Sequence, residues 1–208
     1  MIDLDTAVIF LAASALLALA PGPDNIFVLA QSIVNGKAAG MKIILGLCTG
    51  LVVHTALVAL GLSAVFRTSV TAFNALKYCG AAYLLFLSYK AFSASSSTID
   101  TSERVRMTSW QFYRRGIIMN ITNPKVSIFF MAFLPQFTRP ANGPIALQFV
   151  LLGMMFIIVT FAVFGAISLL AGTIGGWIVK SEKGEKWLNR IAGTVFISLA
   201  VKLVLTDR

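Results

Sequence analysis

The 208-residue sequence predicts an all-α polytopic membrane protein, with six transmembrane helices in a 3+3 inverted repeat and helices 1 and 4 broken near the midplane. Three observations carry that expectation. Hydrophobic residues make up 58% of the chain and charged residues only 12%, where soluble domains carry roughly 25% charged residues. A soluble chain of this size has too much surface for its volume to hide so much apolar area, so the bilayer is its natural solvent. Six apolar runs are long enough to cross about 30 Å of hydrocarbon. Finally, the first run of each half holds a proline followed directly by a charge, Pro23-Asp24 and Pro124-Lys125.

The runs follow in order. Thr6–Asn35 would be about 45 Å long as an unbroken helix, more than the bilayer needs, and "APGPDN" interrupts it near its centre. Met41–Phe66 carries Gly46, Gly50 and His54 at four-residue spacing, hence on one helix face. Small residues on such a face let helices approach closely. Val70–Phe92 completes the first half. The polar, Ser- and Thr-rich stretch "SASSSTIDTSERVRMTSW" then reads as a solvated linker dividing the chain. Arg115–Phe137 opens the second half, with Asn120, Thr122, Asn123 and Lys125 crowding its middle. Ile145–Val179 begins a glycine-spaced stretch at Gly153 comparable to that at Gly46, and Trp187–Leu205 closes the chain. Leu76–Lys90 and Leu188–Lys202 echo each other weakly, with leading Leu, inner Leu and closing Lys at a constant offset. The expected organisation is one transmembrane domain over 1–208: repeat 1 about 1–92, a cytoplasmic linker about 93–113, and repeat 2 about 114–208.

Orientation follows from Lys and Arg, which favour the cytoplasmic loops. With the N-terminus outside, 11 of the 17 fall inside and 5 outside, Lys125 belonging to neither. Both termini are therefore expected outside. Trp110, Trp177 and Trp187 then lie near the cytoplasmic boundary, where indoles anchor well. The net charge of +9 is spread between apolar runs rather than gathered on an aromatic-laced patch, which argues against nucleic acid. "MIDLDTAV" is acidic where a signal peptide would be basic, so cleavage is not expected.

The breaks carry the chemistry. Proline removes a backbone donor and leaves carbonyls unpaired; in lipid those carbonyls are costly, whereas around a cavity they can bind substrate or ion. Matched broken helices in inverted repeats are the sequence signature of secondary transporters. Pro21, Gly22, Pro23 and Pro124 are the expected helix-breaking residues. Asp24, Asn25, Asn120, Asn123 and Lys125 are the expected substrate-binding residues. A charge near the bilayer centre costs at least about 2.5 kcal/mol, a cost that Asp24 and Lys125 could reduce by pairing. An α-amino acid could replace that pair, giving its ammonium to Asp24 and its carboxylate to Lys125. Asp24 and His54 are the candidates for proton coupling; a neutral histidine hydrogen-bonded to a neighbouring helix is the other reading of His54. No His, Cys, Asp or Glu cluster suggests a metal, and no cofactor or catalytic residue is expected.

These residues resemble a known family. "APGPDN", "NGKAAGMKIILGLCTGLVVHTALVALGLS", "LKYCGAAYLLFLSYKAF" and "NITNPKVSIFFMAFLPQF" are similar, in that order and over nearly the whole chain, to the lysine-exporter/homoserine–threonine-resistance family of bacterial amino acid exporters. The resemblance implies a six-helix permease of the bacterial inner membrane that exports amino acids or close derivatives, driven by the proton gradient. Its partners would be the amino acid, protons and the lipid bilayer, with a homo-oligomer left open. Carried over by position, Pro21, Gly22, Pro23 and Asp24 match the first signature, and Asn120, Asn123, Pro124 and Lys125 the second. Gly36, Gly40, Gly46, Gly50 and His54 also match common positions. Export rather than import rests on the resemblance alone. The rival readings are an exporter or channel for another small solute or cation, a scaffold, and a thiol or electron carrier. Asp24 is the only acid well inside a span, and hard cations want several. Cys48 and Cys79 lie away from the breaks, where thiol chemistry would need them.

Overall fold

A computed structural model describes residues 2–20, 22–62, 70–93, 107–178 and 182–205, and every regular element among them is helical. Pro21, Arg67, Arg104, Arg106, Lys180, Arg208 and most of the expected linker lie outside the described residues, as do the side chains of Trp177 and Lys183.

The first apolar run is two helices, α1 (Leu4–Leu19) and α2 (Pro23–Asn35), bent by 61°. Asp3 caps α1, its carboxylate accepting the Thr6 N–H at 2.8 Å. Gly22 caps α2, and Pro23 stands in its first turn, where a missing N–H leaves no helical bond unmade. Gly36, at φ 83°, takes the left-handed conformation that turns the chain back into α3 (Lys37–Leu57). α3 runs on through a π-helical turn, Val58–Leu62. α4 (Val70–Ser93) ends the first half.

A capping box opens α5 (Ser109–Ile121): the Thr108 hydroxyl accepts from Gln111 N, and the Gln111 side chain accepts from Thr108 N. This helix starts earlier than Arg115, where the apolar run begins, because a capping box and the buried Phe112, rather than a continuous apolar run, mark its first turn. The expected linker of about 93–113 therefore overlaps the start of α5. α6 (Pro124–Ile128) is bent by 50° from α5 and continues through a π-helical turn, Phe129–Phe133, and a 3-10 turn, Leu134–Phe137. After a short 3-10 turn, Pro140–Asn142, come α7 (Ile145–Ile178) and α8 (Glu182–Leu205).

Among the described residues, Lys37–Gly61 and Ile145–Ala171 are each long and apolar enough to cross a membrane, and each bent pair, a broken span or a re-entrant loop, is so only when its two helices are taken together. The two remaining sequence runs correspond to α4 and α8, 24 residues each, or about 36 Å of helix.

α3 packs along α5 on one side and α7 on another, α4 along α8, and α7 also receives α1 and α2. Glycines set the closest of these approaches. A Cβ at Gly46 would overlap the Tyr113 carbonyl, and one at Gly116 would overlap the Ile43 carbonyl, so α3 and α5 touch backbone to backbone. The close approach expected at the Gly46 and Gly50 face is thus present.

The buried apolar side chains fall into two clusters. One gathers Phe10, Leu17, Leu51, Phe129, Phe130, Phe133, Phe149 and Phe156 with their neighbours. Its rings pack at 4.9 Å (Phe129–Phe133), 5.1 Å (Phe129–Phe156) and 5.3 Å (Phe130–Phe156), separations at which aromatic pairs add to simple burial. The other holds Val28, Ile43, Ile44, Leu47, Phe112 and Phe164. Along the chain, buried polar residues stand between members of the two clusters on three segments, Asp24 and Asn25 at the head of α2, Asn120 and Asn123 at the α5–α6 break and Thr160 on α7, and His54 of α3 bonds to Asn120 O. The site is this polar layer.

Candidate functional site

The ends of the first and fifth helices leave backbone carbonyls in the layer without a helical donor, and three prolines add to this. Pro21 has no N–H for Leu17 O, Pro23 none for Leu19 O, and Pro124 none for Asn120 O. A carbonyl buried without a partner costs about 1–3 kcal/mol, so the freed groups should be met from elsewhere.

They are met largely across the two breaks. Lys125, half-buried on α6, sends its ammonium back to the end of α1, donating to Leu17 O at 3.2 Å and Ala20 O at 3.0 Å. Gly22 makes room for it: a Cβ there would stand 3.1 Å from Lys125 Nζ. Asn25, one turn into α2, donates its Nδ2 to Ala18 O at 2.6 Å. At the second break, the freed Asn120 O lies 3.2 Å from His54 Nε2; a carbonyl only accepts, so Nε2 carries the proton. Asn123 N also donates to Asn120 O, at 3.1 Å.

Asn123 ties the two breaks together. Its Oδ1 accepts from Lys125 N at 3.0 Å, capping α6. Its Nδ2 donates to Asp24 Oδ2 at 2.7 Å. Side chains from the second break thus bond both the backbone and the carboxylate of the first.

The structure therefore brings Asp24, Asn25, Asn120, Asn123, Lys125 and His54 into one layer, with Gly22, Pro23 and Pro124 at the breaks. Pro21 lies outside the described residues. The direct pairing expected of Asp24 and Lys125 is not made: among the described residues the two share no hydrogen bond. Helix ends explain the difference. Lys125 sits where the carbonyls of α1 point, the negative end of that helix, and Asp24 sits in the first turn of α2, a positive end. Each charge is met by helix dipole and hydrogen bonds before it needs the other.

The layer also has an excess of acceptors. Asp24 Oδ1, Asn25 Oδ1 and Asn120 Oδ1 are buried without a hydrogen-bond partner. Packing holds Asn120 in place, since a Cβ at Gly50 would stand only 2.7 Å from its Oδ1. Buried polar groups are normally paired, and all three of these oxygens lack a donor rather than an acceptor.

His54 makes the hydrogen bond to a neighbouring helix that was one of its two sequence readings, and it packs on Phe130 at 5.6 Å between ring centroids. Cys48 is half-buried on α3 and Cys79 exposed on α4; both are free thiols. Among the described residues, no three His, Cys, Asp or Glu side chains gather where a metal could be held. Sequence reasoning missed the capping role of Asn123, the carbonyls of Leu17, Ala18 and Ala20, and Thr160. For Thr160 a signal existed: it shares a helical stripe with Gly153 and Ser168 in an otherwise apolar run.

Apolar helices that collect polar groups at two breaks, with backbone and side chains bonded across them, are an arrangement that suits a membrane translocator. The chain belongs to the LysE type translocator family, whose model matches residues 15–207. It is a translocator and not an enzyme. It is 36% identical over 195 residues to the homoserine/homoserine lactone efflux protein of Salmonella typhimurium, covering 93% of each chain. It is 32% identical over 202 residues to the Bacillus subtilis membrane protein YrhP, covering 93% of this chain and 95% of that one. It is 27% identical over 198 residues to the leucine efflux protein of Salmonella choleraesuis, covering 93% and 92%. No solved structure gives a significant match.

Proposed function

We propose that this protein is a secondary transporter exporting amino acids or close derivatives across the bacterial inner membrane, coupled to protons. One observation carries the reading: three buried oxygens on Asp24, Asn25 and Asn120 lack donors, in a layer where Lys125 is the cation. A substrate ammonium brings three donors, and its carboxylate suits the Lys125 ammonium once that group leaves the α1 carbonyls. The efflux proteins among the relatives, named for homoserine and for leucine, agree with a substrate of this class.

In this reading the chain is one transport domain. Repeat 1 (about 1–92) and repeat 2 (about 114–208) each contribute three spans in inverted orientation, and the linker of about 93–113 is cytoplasmic. The first span of each repeat is broken near the midplane, and both termini are outside. Asp24, Asn25, Asn120, Asn123 and Lys125 bind substrate, while Asp24 and then His54 carry the coupling proton. The two bent helix pairs, and the bonds that the second break sends to the first, support the repeat. The excess of Lys and Arg in the proposed inner loops supports the orientation.

The test is flux in proteoliposomes. Full-length protein is reconstituted, a pH gradient imposed, and efflux of a panel of amino acids measured beside Asp24→Asn. Gradient-driven flux of one amino acid class, lost in the variant, is the expected result. Wild-type flux that is indifferent to the gradient would remove the proton coupling. The absence of amino acid flux from folded protein would remove the substrate class.

A further inference from the structure

The helix α7 packs on α1, α2 and α3 and crosses the depth of the polar layer. There the first apolar cluster ends at Ile157 and the second begins at Phe164, and the buried polar residue between them is Thr160, 2% exposed. Its hydroxyl has no hydrogen-bond partner. Threonine and serine inside helices ordinarily return their hydroxyl to the carbonyl one turn back. Ser14, Ser32, Thr49, Thr55 and Thr122 all do so here, at 2.6–2.9 Å. Thr160 does not bond the Phe156 carbonyl, so its oxygen is left to serve something other than its own helix.

Register places that oxygen at the depth of the candidate site. α7 runs antiparallel to α3, with Gly153 packed on Thr55 and Ser168 on Gly40. Thr160, about midway between, is level with Cys48, between Gly46 and Gly50, and Gly50 is the residue that packs on Asn120. The hydroxyls of Ser32 on α2 and Ser168 on α7 are hydrogen-bonded at 2.9 Å. α2 turns at Gly36 into α3, so it runs parallel to α7. The same number of residues before that bond on the two helices stand Asp24 and Thr160. Two registers, through α3 and through α2, give the same depth.

We infer that Thr160 is a specificity-determining residue of the transport site: its hydroxyl meets the side chain of the transported α-amino acid and favours one that carries a hydroxyl. This rests on the amino acid reading above. The ammonium and carboxylate are common to every α-amino acid, and the groups suited to them lie on α2, α5 and α6. Thr160 is a single neutral hydroxyl on a different helix, which leaves it the variable part of the substrate. A hydroxyl both donates and accepts, so it bonds a substrate hydroxyl in either direction. Against a methyl group it stays buried and unpaired, which disfavours the aliphatic substrate.

The experiment is a cycle that removes the hydroxyl from each side in turn. Wild type, Thr160→Val and Thr160→Ser are reconstituted, and each is assayed with homoserine and norvaline, which differ by a hydroxyl for a methyl. Wild type should favour homoserine, by about tenfold. Thr160→Val, isosteric and apolar, should lose that preference while still moving norvaline, and Thr160→Ser should keep it. An unchanged ratio in Thr160→Val, or in Thr160→Ala should the valine protein not be recovered folded, overturns the inference while leaving amino acid transport standing. Wild-type protein that moves neither compound overturns the transport reading and this inference with it.

Discussion

Asn123 uses the two ends of one amide for two different tasks, and the two can be separated by substitution. Its Oδ1 caps α6 through Lys125 N, and its Nδ2 holds Asp24 Oδ2 at 2.7 Å, with Asn123 and Asp24 each 3% exposed. Asn123→Ser keeps a capping oxygen but is too short to reach Asp24; Asn123→Ala loses both. Removing a side-chain cap costs about 1 kcal/mol. Removing the donor to a carboxylate whose other oxygen is already unpaired costs about 2 kcal/mol. The serine protein should therefore be about 2 kcal/mol less stable than wild type and the alanine protein about 3 kcal/mol. Reversible unfolding in mixed micelles, titrated with a denaturing detergent and followed by circular dichroism, measures both. Wild-type stability in Asn123→Ser would show that the bond across the two breaks contributes nothing, and the account of Asp24 would fail with it. Equal losses in the two variants would instead dismiss the cap.

Four other expectations are accessible to simple measurements. Gly46→Ala and Gly116→Ala each force a methyl against backbone of the facing helix and should cost about 1–3 kcal/mol in the same unfolding assay. Gly165→Ala, where a Cβ meets nothing within 4 Å, should stabilise by about 0.5–1 kcal/mol. Replacing Cys48 and Cys79 together by serine should leave amino acid flux unchanged, and lost flux would revive a thiol carrier. Hydrogen bonds from Thr6, first its side chain and then its N–H, lower the pKa of Asp3 from its ordinary 3.8. The stabilisation from that ionised cap is present above 3.8 and fades as pH falls through the lowered value. Wild type should thus lose its advantage over Asp3→Asn on acidification, read from unfolding midpoints between about pH 2 and pH 6.

The helical fold, its two longest apolar helices and the two breaks were legible because hydropathy and proline act locally and leave their mark in consecutive letters. Thr6–Asn35 was readable as too long, and Pro23 and Pro124 as its interruption and its counterpart, without knowing any contact. The partner of Lys125 was not legible. Its acceptors are the carbonyls of Leu17 and Ala20, and a carbonyl belongs to every residue alike, so no letter announces it. Asn123 was readable as polar and central, but its role depends on Asp24 arriving from 99 positions away. The start of α5 was missed because a capping box, not apolar periodicity, holds its first turn. Thr160 was passed over because it is one of three hydroxyl residues in a 34-residue apolar helix, and each reads as a tolerated polar residue until a missing partner is known.

The way the charges are held bears on how a transporter of zwitterions could work. Had Asp24 and Lys125 formed a buried salt bridge, an entering amino acid would have to break it before using either charge, and breaking such a pair costs several kcal/mol. Instead each charge is held by groups that can release it singly. Lys125 leans on carbonyls at the end of α1, where the helix dipole supplies the negative potential. Asp24 is held through one oxygen by Asn123, while its other oxygen stays unpaired. An ammonium that bonded Asp24 Oδ1 would therefore leave the Asn123 bond intact. A carboxylate that draws Lys125 away removes a partner of Leu17 O and Ala20 O, loosening the α1–α2 break at the moment of loading. Under the proposed function, binding and bending of the first span would then be one event, coupled by a lysine that the second half places on the backbone of the first.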